Sequence, residues 1–204
     1  EEKPEDMGIG YGLRRLVAER ARSAREAVEI AGALIEEFGY TSGRSYQFCD
    51  KNEAWVFQIP TGRRYVAKRI PDDHVYMIPN NYPIHEVDFA DAEHKNCYFS
   101  KDLVEYAMKN GWYQPAVPGD YSDFDFARAY QDGPDKVHNL IRARQTWPML
   151  LGERPEEWRP FSRKAPRKYT VAELRRLLSS HFEGTEDDYN NGYERNPHID
   201  RDPC

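Results

Sequence analysis

Long apolar runs are missing from this chain of 204 residues: no stretch approaches the ~20 residues a bilayer-spanning helix needs. A membrane is therefore not an expected partner. Positive charge is not in excess either, since 29 Lys and Arg face 35 Asp and Glu for a formal net charge of -6. The longest basic stretch, residues 159–168, is broken by Pro160 and Pro166 and reads as a solvated connector. Nucleic acid, whose phosphates call for a continuous basic stripe, is not expected to bind. Cysteine is scarce. Cys49, Cys97 and Cys204 are odd in number and lack metal-ligand spacing, so neither a closed disulfide framework nor a zinc site follows from them. No Gly-x-Ser-x-Gly elbow, phosphate-binding loop or dinucleotide fingerprint is present, and no cofactor is called for. His85, Asp88, Asp91 and His94 lie in a polar loop and are read as solvent-facing rather than as metal ligands. The opening residues are acidic and polar, without the basic and apolar regions of a signal peptide.

What is present is periodicity. Over residues 12–38, apolar side chains recur at spacings of three and four, which predicts two consecutive helices. Their break falls at Ser23, which with Glu26 is expected to form a capping box: the serine oxygen accepts from the third helical amide and the glutamate reaches back to the serine amide. Gly39 supplies the stop. From Arg44 the period becomes two, predicting an antiparallel meander with strands at 44–49, 54–59, 65–70 and 75–78. Trp55, Phe57 and Ile59 alternate with Val56 and Gln58, so the second strand needs cover on both faces. Helical patterns return at 102–109, 124–130, 137–151 and 171–178, the last behind a second capping box, Thr170 with Glu173. This is one α+β domain over residues 1–204: a helix pair at about 8–39, antiparallel strands at about 44–80, then mainly helices and loops. Cys49, ending an apolar strand, is expected to be buried and inert.

Four blocks, AERARSAREAVEIAGALIEEFGY, DKNEAWVFQI, VAKRIPDDHVYMIPNNY and FDFARAY, occur in an order and spacing that resembles the N-terminal-nucleophile cysteine dipeptidases of the dipeptidase A type. The later EGTEDD, residues 183–188, extends the resemblance. It implies an αββα sandwich, in which this chain supplies an antiparallel meander with flanking helices. It further implies a nucleophilic cysteine at the mature N-terminus whose α-amine, with a pKa near ~8, serves as general base for attack on a peptide carbonyl. This chain begins at Glu1, so it is expected to be an internal fragment, inactive by itself, whose partners are a dipeptide substrate and the remainder of its own chain. The uncovered face of the second strand would then meet solvent, or a second copy in a homo-oligomer.

Carried over residue by residue, the resemblance places Asn80 at the nucleophile's terminus or the oxyanion, and an arginine, Arg142 or Arg144, in the same active site, with Arg142 taken first. Asp50 and Asn52 are read as shaping a hairpin turn and Trp55 as packing. Two alternatives stay open: an amidase of the bile-salt or penicillin type, and a non-catalytic binding domain of the same fold.

Overall fold

A computed structural model describes residues 8–131, 137–153 and 160–189, with side chains at 137 and 138 excepted. The acidic first residues, His198, Cys204 and the polar tail beyond residue 189 lie outside the described part. The chain divides into two compact units, residues 1–72 with 82–132, and residues 73–81 with 133–204.

The first unit begins with the helix pair, α1 (Gly12–Arg20) and α2 (Ala24–Phe38). Ser23 caps α2 by accepting from the Glu26 amide. The reciprocal bond differs from a capping box, because the Glu26 carboxylate takes the Arg22 amide at 2.7 Å rather than that of Ser23. The first helical amide, that of Ala24, goes instead to Asp50, so the hairpin turn helps to cap the helix. At the other end, Gly39 (φ 74°) donates to the Ile35 carbonyl, a left-handed stop that suits glycine.

The sheet is antiparallel with order β1-β2-β3-β5, from β1 (Arg44–Cys49), β2 (Ala54–Ile59), β3 (Val66–Ile70) and β5 (Cys97–Phe99). The first three strands match the expected meander. The fourth does not: β4 (His74–Val75) belongs to the second unit, where it pairs with β6 (Arg163–Lys164). The place beside β3 is taken by β5, twenty-odd residues later in the chain. Residues 163–164, read as connector, are thus paired backbone.

β2 is buried on both faces. Trp55, Phe57 and Ile59 meet the apolar face of α2, through Ala24, Ala27, Val28, Ala31 and Ile35, with Tyr65, Ala67 and Tyr98. The opposite face, Val56 and Gln58, is fully buried within the chain itself. There the Ile84 amide donates to Gln58 Oε1, the Gln58 amide donates to Ser45, and the Tyr82 hydroxyl reaches the Ile59 carbonyl. Ile84 in turn holds the Ala127 amide at the start of α4 (Phe126–Tyr130), the helix that follows α3 (Leu103–Lys109) in the chain. The expectation of an uncovered β2 face is therefore corrected: the loop from residue 82 and the helix that follows fill it.

Asp50 shapes the β1–β2 turn as expected, accepting from the amides of Asn52 and Glu53 at 2.7 and 3.0 Å in addition to Ala24 at 2.8 Å. These amides, Ala24 foremost, hold its carboxyl below the usual carboxylate range.

A helical glycine replaced by alanine ordinarily gains ~1 kcal/mol in propensity, but a Cβ on Gly32 would lie 2.5 Å from the Tyr65 hydroxyl, and that ring is stacked on Phe57. Gly32→Ala should lower stability by ~1–3 kcal/mol, the cost of overpacking; a raised midpoint in urea would mean that Tyr65 swings aside freely. Asp50, with a folded pKa below its unfolded value, stabilises above the ordinary carboxylate pKa and loses that contribution as pH falls through the lower folded value. The gap in urea midpoint between the native chain and Asp50→Asn should be widest near neutrality and shrink toward pH 3 or below, on the order of the carboxylate range.

Candidate functional site

The candidate residues Asn80 and Arg142 fall in the same unit, the second. Its backbone is α5 (Val137–Leu151), on which Asn139, Ala143, Trp147 and Leu150 form a buried stripe at helical spacing. Val75 and Met77, just after β4 begins, pack on Ala143, Trp147 and Leu150, with Tyr169 and Leu177 of α6 (Val171–Leu178) closing the cluster. The Thr170–Glu173 capping box of α6 forms as expected, with both reciprocal bonds made.

This packing brings the segment through Asn80 alongside α5. Asn139, itself only 3% exposed, accepts from the Asn80 amide at 3.0 Å and donates to the Asn80 carbonyl at 2.8 Å. One carboxamide thus replaces two missing backbone partners and fixes the Asn80 main chain in position. The Asn80 residue is exposed and its side chain makes no hydrogen bond among the described residues. Its neighbour Asn81 is the reverse case, 9% exposed with a buried Oδ1 that has no hydrogen-bond partner among them.

Arg142 lies three residues after Asn139, on the same side of α5. Half-buried, it stands beside Tyr189, whose hydroxyl pKa is pushed up to about 12, chiefly by burial, with the Arg142 charge opposing that rise. Tyr189 packs with Phe182 and with Ile141 of α5. Arg144 is differently employed: its guanidinium grips the buried Asp187 with two nitrogens, Nε at 2.9 Å and Nη2, and Gln145 adds a third donor at 2.6 Å. That pairing raises the Arg144 pKa. The EGTEDD segment is accordingly a turn, with the Gly184 amide on Asp188 and Asp187 tied to α5.

The other sequence candidates have structural work. Trp55 packs in the core at zero exposure. Asp91 accepts the amides of Lys95, Asn96 and Cys97, His94 stacks on Tyr98, and His85 pairs with Asp125 at 3.0 Å. Among the described residues no group of three or more His, Cys, Asp or Glu could hold a metal ion. Cys97 is buried, which pushes its thiol up to about 11 and keeps it protonated and inert. The reading of Cys49 is corrected: it is exposed, at the end of β1, the outermost strand of the sheet among the described residues.

Asn139 was not among the sequence candidates. Its signal was an asparagine on the apolar stripe of a helix, a position where a polar side chain must have a partner.

The profile of peptidase family C69 matches residues 5–202. The chain is 31% identical over 186 residues to a probable dipeptidase of Latilactobacillus sakei, covering 88% of this chain and 38% of that protein. It is 32% identical over 208 residues to a dipeptidase of Bifidobacterium longum, with 91% and 38% covered, and 32% over 192 residues to probable dipeptidase B of Lactococcus lactis, with 90% and 39% covered. The chain thus spans less than two fifths of the length of the curated relatives it matches. Matched across nearly all of its own length, it belongs to peptidase family C69.

Proposed function

We propose that this chain is part of a dipeptidase and that it supplies the polar wall of the active site, with Asn80 and Arg142 as its working groups. The observation that carries this reading is the Asn139 clamp, which immobilises the Asn80 backbone while leaving its carboxamide unengaged. A carboxamide held in that way is a preorganised donor, suited to charge that develops during reaction. The family match and the relatives named dipeptidases supply the reaction class.

In this reading, the thiol of an N-terminal cysteine lying outside these 204 residues gives its proton to its own α-amine and attacks the carbonyl carbon of the dipeptide. The Asn80 amide hydrogens bond the oxygen that becomes negative. Collapse of the tetrahedral intermediate breaks the C–N bond, and the α-ammonium returns the proton to the departing amine, leaving a thioester. Water attacks the thioester, with the same amine as base, and the thiol is restored. Arg142 places a fixed positive charge on the same side of α5 as the clamp, where a substrate carboxylate would be held.

The test is a panel of dipeptides with free and blocked amino groups, assayed with the complete gene product and with the 204-residue chain. The complete protein should hydrolyse free dipeptides and the chain alone should not. Turnover by the chain that persists after replacement of Cys49, Cys97 and Cys204 would overturn the assignment. In the complete protein, Asn80→Ala should lower kcat by ~10²–10³, the usual loss for one oxyanion donor.

The two arginines separate a chemical from a structural role. Arg142→Ala should reduce kcat/KM with little change in thermal midpoint. Arg144→Ala, which removes the paired cation of the buried Asp187 carboxylate, should lower the midpoint and expose the 183–189 turn to proteolysis. Equal thermal losses for both variants would remove Arg142 from the site.

A further inference from the structure

The two edges of the four-stranded sheet are built differently. β5 is three residues long, and both backbone groups of its first residue are occupied: the Cys97 amide donates to Asp91 at 2.9 Å and the Cys97 carbonyl accepts from His94 Nδ1 at 3.0 Å. That edge is blocked at its first residue by side chains of the preceding loop, one way exposed edges are protected. Among the described residues β1 has no such block. It is six residues long, contains no proline, and bears only Arg44 as a charge.

The register says which groups it leaves open. The Asp50 amide bonds the Glu53 carbonyl at 3.0 Å, so the pairs Phe48–Trp55, Tyr46–Phe57 and Arg44–Ile59 are the hydrogen-bonded ones. The alternate residues, Ser45, Gln47 and Cys49, direct their N–H and C=O groups away from β2. No backbone partner for them exists among the described residues. Along this edge runs a groove of about 490 Å³, lined by Val17 of α1, by Ala21 just after it and by Tyr46 and Phe48, with the charges of Arg14, Arg22 and Asp50 also in its lining. Tyr46 and Phe48 are stacked and half-buried, an apolar floor beside an unpaired row of backbone groups.

We infer that the open edge of β1 is where an extended strand of further polypeptide adds to the sheet, and that this strand comes from the part of the protein that its relatives carry outside the matched stretch. The relatives have more than half their length there. Main-chain bonds to Ser45, Gln47 and Cys49 give such a strand its affinity, and the Tyr46–Phe48 floor takes alternate apolar side chains. The cations Arg14 and Arg22 favour acidic residues flanking it. A second copy of the chain is the competing occupant, and it fits less well: antiparallel self-pairing of a six-residue strand brings together two like linings, each with two arginines to one carboxylate. The inference rests on the family match and its coverage, not on the dipeptide chemistry, so an inactive Asn80 variant leaves it standing.

Hydrogen exchange decides it. In the 204-residue chain, the amides of Ser45, Gln47 and Cys49 should exchange near free-peptide rates, while those of Tyr46 and Phe48 are protected. In the complete gene product all five should be protected, with exchange at the first three slowed at least ~100-fold. Free exchange at those three in the complete protein overturns the proposal. So does protection in the 204-residue chain that rises with its concentration, because a second copy would then hold the edge. Gln47→Pro removes one outward donor and leaves the β1–β2 bonds intact. It should lower the thermal midpoint of the complete protein and leave that of the 204-residue chain unchanged; no loss in the complete protein counts against the added strand.

Discussion

The structure of the first unit depends on one constraint: β2 must be dry on both faces. Its side chains alternate, so Trp55, Phe57 and Ile59 need one cover while Val56 and Gln58 need another. α2 meets the first demand with a surface of small residues that lets helix and sheet approach closely, to the point where Gly32 has no room for a methyl group beside Tyr65. The second demand is harder, because Gln58 carries polar atoms into that side. Its carboxamide is satisfied from two directions, by Ser45 of the neighbouring strand and by the Ile84 amide of the loop that crosses over it. A buried polar group so paired fixes the loop's path, since any other path would leave donor or acceptor unmet.

The second unit repeats this logic on a helix. α5 buries an asparagine in its apolar stripe, and the cost of doing so is offset by the two bonds to the Asn80 main chain. Two turns of the same helix thereby perform separate tasks. Asn139 positions the segment that bears Asn80, whereas Arg144 and Gln145 converge on Asp187 and hold the 183–189 turn. Arg142 lies between these anchors in sequence, beside the Tyr189 hydroxyl.

Much of this was legible in local pattern. The α2 and α6 caps, the stop at Gly39, the spans of β1 and β2 and the extent of α5 all follow from contacts within a few residues, which sequence spacing reports directly. The candidates Asn80 and Arg142 come from resemblance, while Asn139 shows in the sequence only as a polar residue in an apolar position. Cys49 was misjudged, because period-two patterning cannot tell an edge strand from a central one.

The amino-acid sequence by itself determined the α+β class, the helix pair, the first three strands of the meander and the need of β2 for two covers, since each is set by periodicity and capping at short range. Only the tertiary structure decided where β4 pairs, that β5 completes the sheet, that the loop from residue 82 supplies the second cover, and that Asn139 rather than a strand holds Asn80. Those outcomes join segments from 26 to 88 residues apart, as in the pairs Asn80–Asn139, Gln58–Ile84 and Val75–Arg163. Pairing over such separations is chosen by which buried donors and acceptors must be satisfied together, and no local pattern in the chain records that choice.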